Sequence, residues 1–257
     1  MIQRELRYLM AAMVFFTRIP GIVLDGESSQ EAFRHASKYF PLIGWIVGVV
    51  GAGAYWGGHL IFSPALAILL SMTAAMLVTG ALHEDGFADF CDGFGAGWTK
   101  EQILAMMKDS YTGVFGVIGL ILMLGLRLLS LLSIPALLLP MAMISGHSLS
   151  RFAAISLMAT HEYARDDASS KAKAVVGRMT LGETALAGFF GLLPFFTLAL
   201  LTRQWTMFGV SLFVVWLTRE AFARYCARWI GGYTGDCLGA AQQITELMLY
   251  LTIVATI

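Results

Sequence analysis

The chain is 257 residues long, 58% of them hydrophobic and only 13% charged, with a formal net charge of zero. Soluble domains carry about 25% charged residues, so a soluble surface of this size cannot be covered, and composition points to an integral membrane protein. No basic patch interleaved with aromatics occurs, so no nucleic-acid partner is expected, and the three cysteines, Cys91, Cys226 and Cys237, lack the spacing of a disulfide framework or zinc site.

In chain order, residues 1–38 form an amphipathic or re-entrant N-terminal segment. The opening "MIQRELRYLMAAMVFFTRIP" has only a short apolar stretch and no small-residue cleavage site, unlike a signal peptide. Stretches long enough to cross a bilayer follow at 42–62, 64–82, 114–134, 136–158, 184–202, 206–222 and 238–257. The expected fold is therefore an all-α, polytopic membrane bundle of about seven transmembrane helices, forming one catalytic domain over 1–257. Pro64, Pro135 and the "TRQW" turn mark tight hairpins, and the longer polar loops fall at 83–113, 159–183 and 219–237.

Most of the 17 Lys and Arg residues lie in the N-terminal segment and these three loops, while Arg203 lies in a short turn opposite. With an odd number of spans, the polar loops share one face, which the positive-inside bias places in the cytoplasm together with the N-terminus. Loop 159–183 mixes both signs and reads as solvated, with basic residues able to attract a polyanion.

The sharpest feature is "ALHEDGFADFCDGFGAG", residues 81–97. Asp85, Asp89 and Asp92 are spaced i, i+4, i+7 and share one helix face. Carboxylates after a span are often a solvated helix end placed by the dipole. Here Glu84 adds a fourth acid within nine residues, and glycines are interleaved, which favours a metal site. Oxygen-only ligands suit Mg²⁺ or Mn²⁺, and Mg²⁺ combines one or two carboxylates with substrate phosphates. Among the scattered histidines, only His83 stands where it can act as an acid or base.

Two further polar stretches open helices. In "MMKDSYTGVFGVIGL", Lys108, Asp109 and Ser110 precede a glycine-rich helix start suited to a phosphate, or else Asp109 or Ser110 is an ordinary N-cap. "GGYTGDCLGAAQQITEL" repeats that chemistry with Thr234, Gly235 and Asp236. Glu246 sits inside an apolar helix, where an ionisable group is functional or paired; Arg127 and Arg151, each within a span, are its expected partners or phosphate ligands.

From spacing alone, a membrane phosphotransferase, an ion-coupled transporter and a non-catalytic scaffold all remain open. Transporters place acids near the bilayer midplane, whereas these acids cluster at one face, which favours the enzyme. The CDP-alcohol phosphotransferase signature DGxxAR is absent, because Asp85-Gly86-Phe87-Ala88 is followed by Asp89-Phe90. "HEDGFADFCDG" does resemble the H-x-DG-x-AD-x-x-DG signature of the cobalamin synthase family, the adenosylcobinamide-GDP ribazoletransferases. "FFTRIP", "FPLIG", "KDSYTGVFGV", "SRFAA" and "GGYTGDCLGA" match in the family's order across nearly the whole chain; Phe90 and Cys237 depart from it.

The resemblance implies an inner-membrane enzyme, bacterial or archaeal, with its site facing the cytoplasm. It would join adenosylcobinamide-GDP to α-ribazole or α-ribazole 5′-phosphate, releasing GMP and requiring Mg²⁺. It further implies Asp85, Asp89, Asp92 and Glu84 as metal ligands, Asp85, Asp89 and His83 as catalytic groups, and Lys108, Asp109, Ser110, Arg151, Thr234, Gly235 and Asp236 as substrate-binding groups. Expected partners are the two substrates and the lipid bilayer, with a homo-oligomer or other nucleotide-loop assembly enzymes as further associations.

Overall fold

A computed structural model describes residues 2–21, 27–165 and 179–257, with side chains from Glu31 onward in the second stretch. Eleven α-helices follow one another among the described residues: α1 (Ile2–Phe16), α2 (Glu27–Ala36), α3 (Phe40–His59), α4 (Pro64–Thr79), α5 (Leu82–Ala96), α6 (Lys100–Met106), α7 (Val114–Ser133), α8 (Leu139–Thr160), α9 (Leu181–Thr202), α10 (Trp205–Ile230) and α11 (Gly235–Thr256). A 3-10 turn, Ser37–Tyr39, joins α2 to α3.

Five helices are long and apolar enough to cross a membrane: α3 with the residues before it from Glu31, α7, α9, α10 and α11. The pair α4 and α5 makes a sixth candidate, bent by 90°. The chain is thus a polytopic membrane bundle with five or six such candidates among the described residues, and two of the seven expected runs differ from the rest for physical reasons. The run at 64–82 stops at Thr79 because Gly80 and Ala81 both adopt left-handed conformations, with φ of 66° and 57°. The run at 136–158 becomes α8, but this helix carries His147, Arg151 and several serines and is buried along most of its length. It forms the central post of the bundle and packs on α3, α9 and α11.

Close approach of α3 to α8 depends on missing side chains. A Cβ on Gly44 would collide with the carbonyl of His147, and one on Gly48 would lie 2.6 Å from Ile144 Cα. Outward, α7 exposes Val117, Ile118, Ile121, Leu122 and Leu129, an apolar face suited to lipid. The hydrophobic effect gives it no reason to turn inward in a bilayer, where lipid tails are as apolar as leucine.

The expected loops are largely helical. Stretch 83–113 holds α5 and α6, and 219–237 is mostly the end of α10, which stops at left-handed Gly231. In loop 159–183, Lys171, Lys173 and Arg178 lie outside the described residues, and α9 begins at a capping box of Thr180 and Glu183.

The N-terminal helix buries Tyr8, Ala11, Ala12 and Phe16 and exposes Ile2 and Leu6. Lys38 Nζ lies 2.6 Å from Glu5, and the Tyr39 hydroxyl donates to Glu5 at 2.8 Å, pinning α1 to the 3-10 turn. Burial pushes the Glu5 carboxyl up, but these two hydrogen bonds outweigh it and hold the group below the ordinary carboxylate range.

Candidate active site

α5 lies between α7 and α11, antiparallel to the first halves of both. Gly86 and Gly239 permit the close pairing with α11: a Cβ on Gly86 would lie 3.1 Å from Asp236 Cα, and one on Gly239 would lie 3.2 Å from the His83 carbonyl oxygen. This crossing brings Asp236, more than a hundred residues away in sequence, to the acidic helix. Asp85 and Asp236 both line one cavity, and Asp89 faces Asp236, Asp85 and Asp92 as like charges, with Arg165 as the opposing one.

Asp236 is held locally. The α11 N-cap is Thr234, fully buried, whose hydroxyl accepts from Cys237 N at 3.2 Å; the cap expected of Asp236 is therefore Thr234's. Asp236 instead accepts from Arg165 Nη2 at 2.9 Å. Arg165 is delivered by a short backbone pairing, in which Tyr233 N donates to Glu162 O at 3.1 Å and Ala164 N to Tyr233 O at 2.8 Å. Gly232 makes room for it, since the Glu162 carbonyl occupies the position of a Cβ there. Arg165 Nε is buried with no hydrogen-bond partner among the described residues.

Asp92 and Glu84 have work other than the metal ligation expected of them. The Asp92 carboxylate accepts from Gly113 N at 2.6 Å and Gly116 N at 2.9 Å, capping the start of α7 from a neighbouring helix. The cap expected from Asp109 or Ser110 is thus supplied across the bundle; Asp109 accepts from Tyr111 N in its own turn, at 3.1 Å. Lys108, Asp109 and Ser110 do not line the cavity.

Glu84 points into a buried polar network. Gln243 Nε2 donates to Glu84 at 3.0 Å and Arg127 Nη1 lies 3.8 Å away. Arg127 Nη2 reaches Glu246 at 3.1 Å and Gln243 Oε1 at 2.8 Å. His147 Nδ1 lies 3.3 Å from Glu246, and Tyr250 donates to it at 3.1 Å. Of the two arginines expected to pair with Glu246, Arg127 does so directly. Arg151 instead donates to the His147 carbonyl at 2.9 Å, with its guanidinium over the Phe40 ring. It is 2% exposed and does not line the cavity.

The cavity encloses about 680 Å³ and is walled largely by apolar residues of α1, α2, α8 and α11. Ligand pockets commonly fall at about 300–1,000 Å³ with a few converging polar groups. Asp85, His83, Gly235 and Asp236 are four such expected residues that the fold brings together there. His83 is buried and stacked on Phe40 at 5.4 Å, and its Nε2 has no hydrogen-bond partner among the described residues. As the side chains stand, no three His, Cys, Asp or Glu among the described residues form a group that could hold a metal ion.

Sequence reasoning passed over Arg18, which lines the cavity, and His147, Gln242 and Gln243, which complete the network. The signal for the glutamines was present, since two adjacent amides inside an apolar helix require buried partners.

A family model described as Cobalamin-5-phosphate synthase matches residues 8–254. A protein named adenosylcobinamide-GDP ribazoletransferase from Shewanella frigidimarina (strain NCIMB 400) is 42% identical, covering 98% of this chain and 95% of its own length. Proteins of the same name from Ralstonia nicotianae (strain ATCC BAA-1114 / GMI1000) and Leptospira interrogans serogroup Icterohaemorrhagiae serovar copenhageni (strain Fiocruz L1-130) are 41% and 40% identical, covering 97% and 98% of this chain and 95% and 96% of theirs. No solved structure matches. With nearly every residue covered by these matches, the chain belongs to the cobalamin-5-phosphate synthase family.

Proposed function

We propose that the chain is an adenosylcobinamide-GDP ribazoletransferase, as its relatives are named. It joins adenosylcobinamide-GDP to α-ribazole or α-ribazole 5′-phosphate and releases GMP, giving adenosylcobalamin or its 5′-phosphate. The observation that carries this reading is the sorting of acids in the bundle. Glu84, Asp92 and Glu246 are committed to structural partners within the bundle, while Asp85 and Asp236 line the cavity, with Asp89 and the Arg165 that pairs with Asp236 beside them.

That arrangement fits Mg²⁺. The donors are hard carboxylate oxygens, and Asp89 faces more like charge than opposite charge, an imbalance that a cation relieves. Mg²⁺ needs only one or two protein carboxylates when a diphosphate supplies the remainder, so a preformed three-ligand cluster is unnecessary. Asp85 and Asp89 would hold it, with Asp236 beside them. When bound, the ion neutralises charge on the diphosphate and on departing GMP.

The chain's own residues orient and move a proton. The attacking ribose hydroxyl forms a new O–P bond at the cobinamide-side phosphorus, and the P–O bond to GMP breaks. The hydroxyl proton passes to His83 Nε2, buried in the cavity wall and without a hydrogen-bond partner among the described residues. Arg165, whose Nε has no hydrogen-bond partner among the described residues, stands at Asp236 to steady a phosphate oxygen. Such reactions are catalysed mainly by positioning and charge stabilisation. The positive-inside bias supports a cytoplasmic site in the inner membrane.

The test is purified protein in nanodiscs, given both substrates with and without Mg²⁺. Metal-dependent release of GMP with formation of the joined corrinoid supports the reading. No product from folded, monodisperse protein contradicts it.

A further inference from the structure

The cavity offers about 680 Å³, within the range for drug-sized ligands and enough for a nucleoside-sized substrate. Its wall includes Phe15, Phe16, Phe33 and Phe40. Phe15 and Phe33 are only partly buried, with ring centroids 6.1 Å apart. The hydroxyls of Thr17 and Thr79 in the same wall already donate to backbone carbonyls of their own helices. The phenylalanine wall offers an apolar seat for the planar faces of a benzimidazole, while Arg18, His83, Asp85 and Asp236 in the same lining are left for its ribose and phosphate.

The cavity also has one cation. Arg18 is exposed, lines the cavity together with Asp85 and Asp236, and has no ion-pair partner among the described residues. Its side chain lies across Gly80, the left-handed residue at the bend into α5, where any Cβ would collide with Arg18 Nε. Its main-chain N–H donates to Val78 O at 2.7 Å. Arg18 is therefore fixed at its main chain, and its side chain packs over the bend that launches the acidic helix.

We propose that this cavity seats the attacking substrate, a benzimidazole riboside phosphate. Its planar base lies among the phenylalanines, its 5′-phosphate on Arg18, and its ribose hydroxyl toward Asp85 and His83. The corrinoid remains outside, and only its diphosphate reaches the acids. This assignment rests on the ribazoletransferase reading above and adds to it which substrate enters the bundle.

The experiment measures steady-state constants for both substrates with wild-type protein, Arg18→Ala, Arg18→Lys and Phe33→Ala in nanodiscs, and includes GMP competition. An arginine–phosphate hydrogen bond is strong enough that Arg18→Ala should raise KM for α-ribazole 5′-phosphate about tenfold or more. It should leave KM for unphosphorylated α-ribazole and for adenosylcobinamide-GDP within about twofold. Arg18→Lys should recover part of the loss. Phe33→Ala should raise KM for both ribazole forms alike, by about tenfold.

The proposal is overturned if Arg18→Ala or Phe33→Ala raises KM for adenosylcobinamide-GDP instead, or if GMP competes directly with the ribazole. Those results would assign the cavity to the guanosine end and leave the overall reaction standing. Wild-type protein that binds neither ribazole form and makes no product would overturn the proposal and the ribazoletransferase reading together.

Discussion

Asp92 accepts the main-chain N–H of Gly113 at 2.6 Å and that of Gly116 at 2.9 Å, so one carboxylate of the acidic helix caps the next helix in the bundle. A Cβ on either glycine would lie 2.5 Å from an Asp92 oxygen, which accounts for both glycines at the start of α7. The acidic helix therefore divides its labour, with Asp92 tying it down and Asp85 lining the cavity.

Removing this cap should separate the two roles. Asp92→Ala is expected to cost about 1–2 kcal/mol of stability, as lost helix caps do, seen as a lower Tm in detergent. Activity at a temperature where the variant stays folded should fall far less than in Asp85→Ala. Loss of all turnover in a fully folded Asp92→Ala protein would return Asp92 to the metal.

The pair Arg127–Glu246 is a buried charge pair between α7 and α11. Truncating one partner leaves the other charge uncompensated, and such losses run to about 3–5 kcal/mol. Glu246→Ala should therefore give poorly folded protein in a thermal-unfolding assay. Replacing both residues by apolar ones of similar volume should recover much of the stability. Equal damage from the single and double replacements would contradict the pairing.

Gly44 is expected to tolerate no side chain. The His147 carbonyl occupies its Cβ position, so Gly44→Ala must part α3 from α8 or shift the backbone that carries His147. Size-exclusion profile and Tm should both deteriorate, while Gly53→Ala, where a Cβ meets nothing within 4 Å, serves as the neutral control.

Arg165→Ala should lower turnover without unfolding the protein, because the short backbone pairing of Tyr163 with Tyr233 and the contact of their rings hold the segment in place. Steady-state kinetics and the melting curve, taken together, check this. A large fall in Tm with unchanged turnover would make the Arg165–Asp236 bond purely structural.

Much of this architecture was legible in the sequence, for reasons specific to each element. Long apolar runs announced α3, α7, α9, α10 and α11, and the i, i+4, i+7 acids announced α5 as a helix. The run at 136–158 is α8, but hydropathy cannot separate a helix facing lipid from one facing other helices: Arg151 is satisfied one turn away by His147, and His147 reaches Glu246 far along the chain. The same limit hid the fates of Asp92 and Glu84. Their partners Gly113 and Gln243 are 21 and 159 residues distant, so spacing within the acidic stretch made four acids look equivalent. Arg18 was visible only as part of "FFTRIP"; its place beside Asp85 depends on the bend at Gly80, which local sequence does not reveal.

The most direct test of the central claim is the metal dependence of turnover in Asp85→Ala and Asp89→Ala proteins, measured as GMP release and joined corrinoid in nanodiscs. The account predicts Mg²⁺-dependent product from the wild type and losses of about 10²-fold or more in each variant, with melting curves close to wild type. Near-normal turnover in a well-folded Asp85→Ala or Asp89→Ala protein would contradict it.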